Sequence, residues 1–384
     1  VQVNNGPAAG RLDWSVATTS GGGAVLPDLN FDETVELAIH NGSAALDVFG
    51  FVVLAGDFEL VKQTLDIDDG KLGLFNADAL SLSLTDVGVF VGVGGKLDND
   101  SLSTTDVTDP AGTDAVGFYI PSGASLDLVI LQDTGTPADK YTGLQGSVTN
   151  LALVGVEGLT ATVSGDVQVN NGPAAGRLDW SVATTSGGGA VLPDLNFDET
   201  VELAIHNGSA ALDVFGFVVL AGDFELVKQT LAIDDGNGVD ITADALSLSL
   251  TDLGVFVGVG GSLVDSTVST TAVTDPATTD DAMGFYIPSG ASLDLVILQD
   301  TGTPADKYTG LQGSVTNLAL VGVEGLTATV SGDVQVNNGP AAGRLDWSVA
   351  TTSGGGAVLP DLNFDETVEL AIHNGSAALD VFGF

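Results

Sequence analysis

The sequence predicts an all-β fold: an elongated rod of tandem repeats forming a continuous β-solenoid-like stack, with tandem antiparallel β-sandwich modules as the alternative. Three observations predict it. Apolar and polar residues alternate at period two along most of the 384 residues. Turn signals rich in Gly, Asn and Asp punctuate those runs. Long segments also return verbatim, which is the mark of a repeat architecture.

The alternation comes in short, well-marked runs. Val35, Leu37 and Ile39 alternate with Glu36, Ala38 and His40; Leu80, Leu82 and Leu84 alternate with Ser81, Ser83 and Thr85. Leu126, Leu128 and Ile130 repeat the pattern. Leu159, Ala161 and Val163 share their parity with Val167 and Val169, while Thr160, Thr162, Ser164 and Asp166 point the other way. His40-Asn41-Gly42-Ser43, Ala55-Gly56-Asp57 and Ser164-Gly165-Asp166 read as hairpin turns. The stretch 138–144 is a short helical candidate.

Residues 1–65 recur as 167–231, 118–166 recur as 285–333, and 1–51 recur as 334–384. The domains are therefore repeat unit 1 (1–166), repeat unit 2 (167–333) and the start of a third (334–384), read as a window on a longer chain. No Pro/Ser/Gly-rich spacer separates the copies, which favours a continuous stack over separate beads. Differences fall in 66–116 and its counterpart 232–283, one residue longer. A buried strand cannot absorb one inserted residue without flipping its faces, so the changes are expected in exposed loops near 66–76 and 96–116.

Acidic residues number 51 against 9 basic ones, a formal net charge of −42, yet 44% of the chain is hydrophobic. Disordered chains combine high charge with low hydrophobicity, so this chain has a core and an acidic surface. Phosphate binding needs clustered Lys and Arg, so nucleic acid is not an expected partner. No apolar run is long enough for a spanning helix, and membrane insertion is not expected. The absence of cysteine removes disulfides, thiolate catalysis and cysteine-bound zinc.

Candidate chemistry is sparse. His40, His206 and His373 are one residue seen three times, with no second histidine in a unit, and each is expected at an exposed hairpin end. Trp14, Trp180 and Trp347 lie in RLDWSVA, a core pattern in which Arg11 and Asp13 would pair on the surface. Closely spaced Asp residues on Gly-containing loops can supply the oxygens that calcium prefers. The metal candidates are Asp66, Asp68, Asp69, Asp98, Asp100, Asp106 and Asp109 in the first unit. In the second they are Asp234, Asp235, Asp240 and Asp275. Calcium is the one cofactor this pattern points to. No P-loop, dinucleotide fingerprint, G-x-S-x-G or H-E-x-x-H occurs, so an enzyme is not expected.

Long, nearly identical, acidic units rich in Asp, Gly, Val and Thr, without cysteine, resemble the repeat region of giant secreted bacterial surface proteins of the adhesin and matrix type. The style is that of the RTX family, although its GGxGxD nonapeptides are absent. The resemblance implies an extracellular or cell-surface location and a structural role in a filament, sheath or adhesin stalk. Copies of itself would be its partners. The alternative is a repeated binding module for a surface glycan, a cation or a neighbouring chain.

Overall fold

The computed structural model describes residues 1–6, 10–17, 27–98, 106–110, 112–174, 176–183, 192–264, 272–276, 281–341, 343–350 and 359–382. The strands of repeat unit 1 are β1 (Gln2–Val3), β2 (Val35–Val48), β3 (Val52–Ile67), β4 (Phe75–Val93), β5 (Val116–Asp133), β6 (Lys140–Val154) and β7 (Leu159–Asn171). They are followed by β8 (Val201–Val214), β9 (Val218–Asp234), β10 (Asp240–Val259), β11 (Met283–Asp300), β12 (Lys307–Val321), β13 (Leu326–Asn338) and β14 (Leu370–Val381). The helices are single turns, α1 (Trp14–Ala17), α2 (Trp180–Ala183) and α3 (Trp347–Ala350).

The fourteen strands found among the described residues belong to one antiparallel sheet whose strand order is the order of the sequence. The all-β, continuous architecture expected from the repeats takes the form of an antiparallel meander. β7 and β13 run without interruption through the points where one sequence copy ends and the next begins, at 166/167 and 333/334. The join between copies is the middle of a strand, which explains why no linker is visible.

The three turn signals lie inside strands. Asn41 (φ 51°) sits where the β2–β3 register shifts between Ile39 and Gly42, and Gly56 where β3–β4 shifts between Ala55 and Asp57. The third signal, seen in its second copy, coincides with the β13–β14 shift between Ser331 and Asp333. These are bulges. Asn and Gly supply the same backbone freedom to a bulge as to a turn, so the local signal cannot tell them apart. His40 is accordingly exposed in mid-strand and not at a hairpin end. The real β2–β3 turn is Phe49-Gly50, with both residues at positive φ. The helical candidate at 138–144 runs into β6; the helical turns begin instead at the tryptophans.

The parity of burial also departs from the apolar pattern. In β4 the buried side chains are Ala77, Ala79, Ser81 and Phe90, while Leu80 is 39% exposed. In β5 they are Ala124, Val129 and Leu131, and in β7 Thr162 is buried while Val163 is 41% exposed. On the other face of β3–β4, Phe58 pairs with Leu84 and Leu60 with Leu82, all half-buried. Both faces of the sheet carry apolar residues, and one face closes more tightly than the other.

The chain divides into two compact units that are out of phase with the sequence repeats. The first comprises Val1–Asp109, Ile120–Ser147 and Val167–Val201; the second comprises Pro110–Tyr119, Val148–Asp166 and Glu202–Phe384. In the first, one core joins Ile67, Ala77, Ala79, Val129, Leu131 and Tyr141 to Leu178, Trp180, Leu195 and Phe197. In the second, the equivalent core joins Ile233, Val296, Leu298 and Tyr308 to Leu345, Trp347, Leu362 and Phe364. Each core is thus built by the late strands of one sequence copy and the opening segment of the next.

Candidate functional site

At the junction, one copy's opening segment closes the previous copy's core. Trp180 is fully buried. Asp179 caps its helical turn, with Oδ1 accepting from Ser181 Oγ at 2.5 Å and the carbonyl accepting from the Ala183 N–H at 2.9 Å. The indole ring lies against the backbone of β6: a Cβ on Gly143 would stand 2.6 Å from both the ring and Leu195. Gly310 meets Trp347 and Leu362 in the same way. Glycine is required here by close approach, since any side chain would occupy the ring's place.

The β3–β4 turn closes the junction from the other side. Asp69 is buried; its Oδ1 accepts the N–H groups of Lys71 and Leu72 at 3.0 and 2.7 Å, fixing a tight loop. That loop points Lys71 at the next copy's segment. Its ammonium donates to Glu199 Oε1 and lies 3.6 Å from Asp179 Oδ2. The hydrogen bond to Glu199 is the main cause that raises the Lys71 pKa above its usual value, opposed by partial burial and aided by the charges of Glu199, Asp179 and Asp198. Asp69 Oδ2 and Glu199 Oε2 are closed off from solvent without a hydrogen-bond partner.

The sequence candidates for a metal fall into separate places. Asp66, Asp68 and Asp69 lie at the β3–β4 turn, while Asp98, Asp106 and Asp109 lie in the β4–β5 connection, at the opposite end of β4. A 19-residue strand spans roughly 60 Å, so the two sets cannot share one ion. Asp100 lies outside the described residues. The first set is occupied locally: Asp66 Oδ1 accepts from Asn76 at 2.9 Å and Asp68 Oδ1 from the Gly70 N–H at 2.9 Å. Asp98, Asp106 and Asp109 are exposed beside the buried Val107, and residues 99–105 between them lie outside the described residues. In the second unit Asp235 is buried and holds the N–H groups of Asn237 and Val239 at 2.9 Å each. Asp234 and Asp240 face each other across β9–β10, both exposed, and Asp275 is exposed. Among the described residues, no group of three or more His, Cys, Asp or Glu stands close enough to hold a metal.

Other sequence candidates resolve simply. His40 Nδ1, exposed, lies 3.6 Å from Glu59, and His206 Nδ1, half-buried, lies 3.7 Å from Glu225. Arg11 does not pair with Asp13. It reaches Glu36 at 3.4 Å and the carbonyls of Glu33 and Thr34, because the helical turn at Trp14 breaks the alternation that would have put Arg11 beside Asp13. A groove of about 470 Å³ runs beside the bulge at Asn207, lined by Ser209, Asp223, Phe224, Glu225 and Ser249 among others. Burial, and then the charge of Asp252, raises the pKa of Asp223 above the usual carboxylate value.

Sequence reading missed Lys71, Glu199 and Asn170 as junction residues. One signal was present: in a chain with nine basic residues, each base placed among carboxylates has a partner worth seeking. Compared with known proteins, the chain matches no family model, no curated protein and no solved structure.

Proposed function

We propose that this chain is an extracellular structural repeat protein, built to extend a filament, sheath or adhesin stalk on a bacterial surface. The observation that carries this reading is that both large cores straddle a sequence join, each completed by the opening segment of the following copy. Such a chain gains stability and length together as copies are added, in the manner of nearest-neighbour repeat proteins. The strong negative charge keeps such a polymer soluble and favours a cation-rich medium. Other copies of the chain are its proposed partners, and calcium its proposed cation.

Electron microscopy of the native assembly, beside recombinant chains of increasing copy number, tests this reading. Ordered fibres, and a contour length that grows in proportion to copy number, support it. Compact particles of constant length would refute it. A second reading, a repeated glycan-binding module, is favoured by the groove at Asn207, whose polar side chains and Phe224 suit a sugar face. Saturable glycan binding that scales with copy number, by isolated chains without fibres, would select it.

A further inference from the structure

The face of the sheet turned away from the Trp347 core is apolar and open. Residues directly opposite one another on neighbouring strands point to the same side. Leu226, Leu248, Leu295, Leu311, Val336 and Leu370 stand opposite one another in turn from β9 to β14. Val218, Val257, Phe285 and Leu320 form a second row, continued by Ala328 and Leu379. Outside the bulges, no paired position on this face between the two rows carries a charge. The buried Val219, Phe256 and Val296 alternate with these residues and point the other way. On that inner side, between the same rows, stand Asp223, Glu225, Asp294 and Asp333. The outer side is open to solvent: Val257 is 48% exposed and Phe285 57%.

We propose that this face is where two copies of the chain pack together, sheet on sheet, each presenting the same apolar rows. The proposal rests on the reading that copies of the chain are its partners, and it names the surface they share. Size is the first reason for a second copy. Six strands at about 4.8 Å and nine residues at about 3.3 Å make a patch of roughly 30 by 30 Å. That is on the order of 800 Å² from each copy, the share that each partner gives to a stable interface of standard size. The largest apolar patch on an ordinary monomer is only about 300–600 Å². Charge is the second reason. Two chains of net charge −42 repel each other, and the outer rows let them meet without setting acid against acid. A basic partner would be drawn instead to the side that carries Asp223, Glu225, Asp294 and Asp333. Shape is the third: sheets stack about 10 Å apart with their apolar side chains interdigitated, and contact between like faces closes by two-fold symmetry. Repeat unit 1 carries the same chemistry, with the exposed Val91 opposite Val52 and Leu82 opposite Leu60.

The test is sedimentation of the whole chain over a range of concentrations, at low and at high salt. Association is expected, and it should tighten as salt screens the repulsion. Val91→Lys with Val257→Lys puts one ammonium on the face in each complete repeat and makes the chain less negative. Were overall charge in control, that pair would strengthen association; packing through these rows requires a dissociation constant raised at least about a hundredfold. Glu157→Lys with Glu324→Lys makes the chain less negative still, in the β6–β7 and β12–β13 turns, and should leave association intact. Val91→Thr with Val257→Thr keeps side-chain shape and strand preference and should weaken association by about tenfold. Circular dichroism at dilutions where the parent is monomeric checks that each variant folds. If the Lys pair does not fold, the Thr pair decides, and unchanged association there overturns the proposal. A folded Lys pair that associates as tightly as the parent overturns the surface and leaves the filament reading standing. A chain that stays monomeric at every concentration and salt overturns both. Binding to phosphatidylcholine vesicles, lost in the Lys pair, would give the face to a bilayer and likewise overturn the proposal.

Discussion

Asn170 and Trp180 are locked together inside a closed pocket: the indole Nε1–H donates to Asn170 Oδ1 at 2.9 Å, and both residues are almost fully buried. The amide's other end donates to the carbonyls of Leu178 and Asp198 at 2.9 and 3.0 Å. One side chain on β7 thus satisfies three groups of the opening segment and sets the place of the tryptophan. Asn4 makes the same three contacts with Trp14, Leu12 and Asp32, but Trp14 is only half-buried.

Asn170→Leu should therefore destabilise its junction by about 3 kcal/mol or more, because three buried polar groups lose their partner. Asn4→Leu should cost about 1 kcal/mol, since water can reach the more open Trp14. Hydrogen exchange at α2 and at α1, compared between the two variants, measures the difference. Equal losses would mean that burial of the tryptophan does not set the cost.

Removing 334–384 should loosen strands far upstream. The cut strips Leu345, Trp347, Leu362 and Phe364 from a core they share with Ile233, Val296, Leu298 and Tyr308. At about 1.5–3 kcal/mol per large buried side chain, the loss is on the order of 6–12 kcal/mol. Chain 1–333 should show faster exchange in β9–β12 than chain 1–369, although 1–333 ends at a sequence boundary. Equal protection would show that the sequence repeat is also the folding unit.

How much of this was legible can be argued from two cases. The all-β character was plain, because alternation such as Val35, Leu37 and Ile39 is a property of the chain alone. The buried face was not. Leu126-Asp127-Leu128-Val129-Ile130-Leu131 is apolar on both parities from Leu128 onward, so only the neighbouring strands decide that Val129 and Leu131 are inside. The junction was hidden for a related reason. Verbatim copies show where the sequence repeats, but not where the packing closes, and here the two are out of phase. Lys71 and Glu199 lie 128 positions apart, and no local pattern links them.

The β2–β3 turn offers a contrast between copies. Phe49 and Phe215 both adopt left-handed backbone, φ 54° and 53°, in turns closed by the hydrogen bonds Phe51 N–H to Val48 O and Phe217 N–H to Val214 O, each 2.9 Å. A bulky residue there costs about 1–2 kcal/mol that Asn largely avoids. Phe49 is 93% exposed, whereas the Phe215 ring covers Gly158 so closely that a Cβ on that glycine would lie 2.4 Å from it. Phe49→Asn should raise the denaturation midpoint, and Phe215→Asn should lower it. If both raise it alike, the contact with Gly158 contributes nothing.

Stability should decline in alkali, with the tyrosines of the two large cores among its causes. Burial first, and then the charges of Asp139, Asp133 and Asp69, raise the Tyr141 pKa above its ordinary value. Burial and Asp306, Asp300 and Asp235 do the same for Tyr308. The unfolded chain ionises these hydroxyls near pH 10, while the folded chain still holds their protons. Their contribution to stability is therefore complete below about pH 10 and is lost as pH rises through the raised folded values. Lys71, also raised, acts in the same direction. The melting temperature should hold steady from neutrality to about pH 9 and fall beyond pH 10. Tyr141→Phe with Tyr308→Phe keeps the ring that packs on Phe75, 5.5 Å between centroids in the first core, and removes both hydroxyls. The double variant should fall less steeply above pH 10 while matching the parent near neutrality. An identical alkaline slope would show that these two hydroxyls are not what the fold protects.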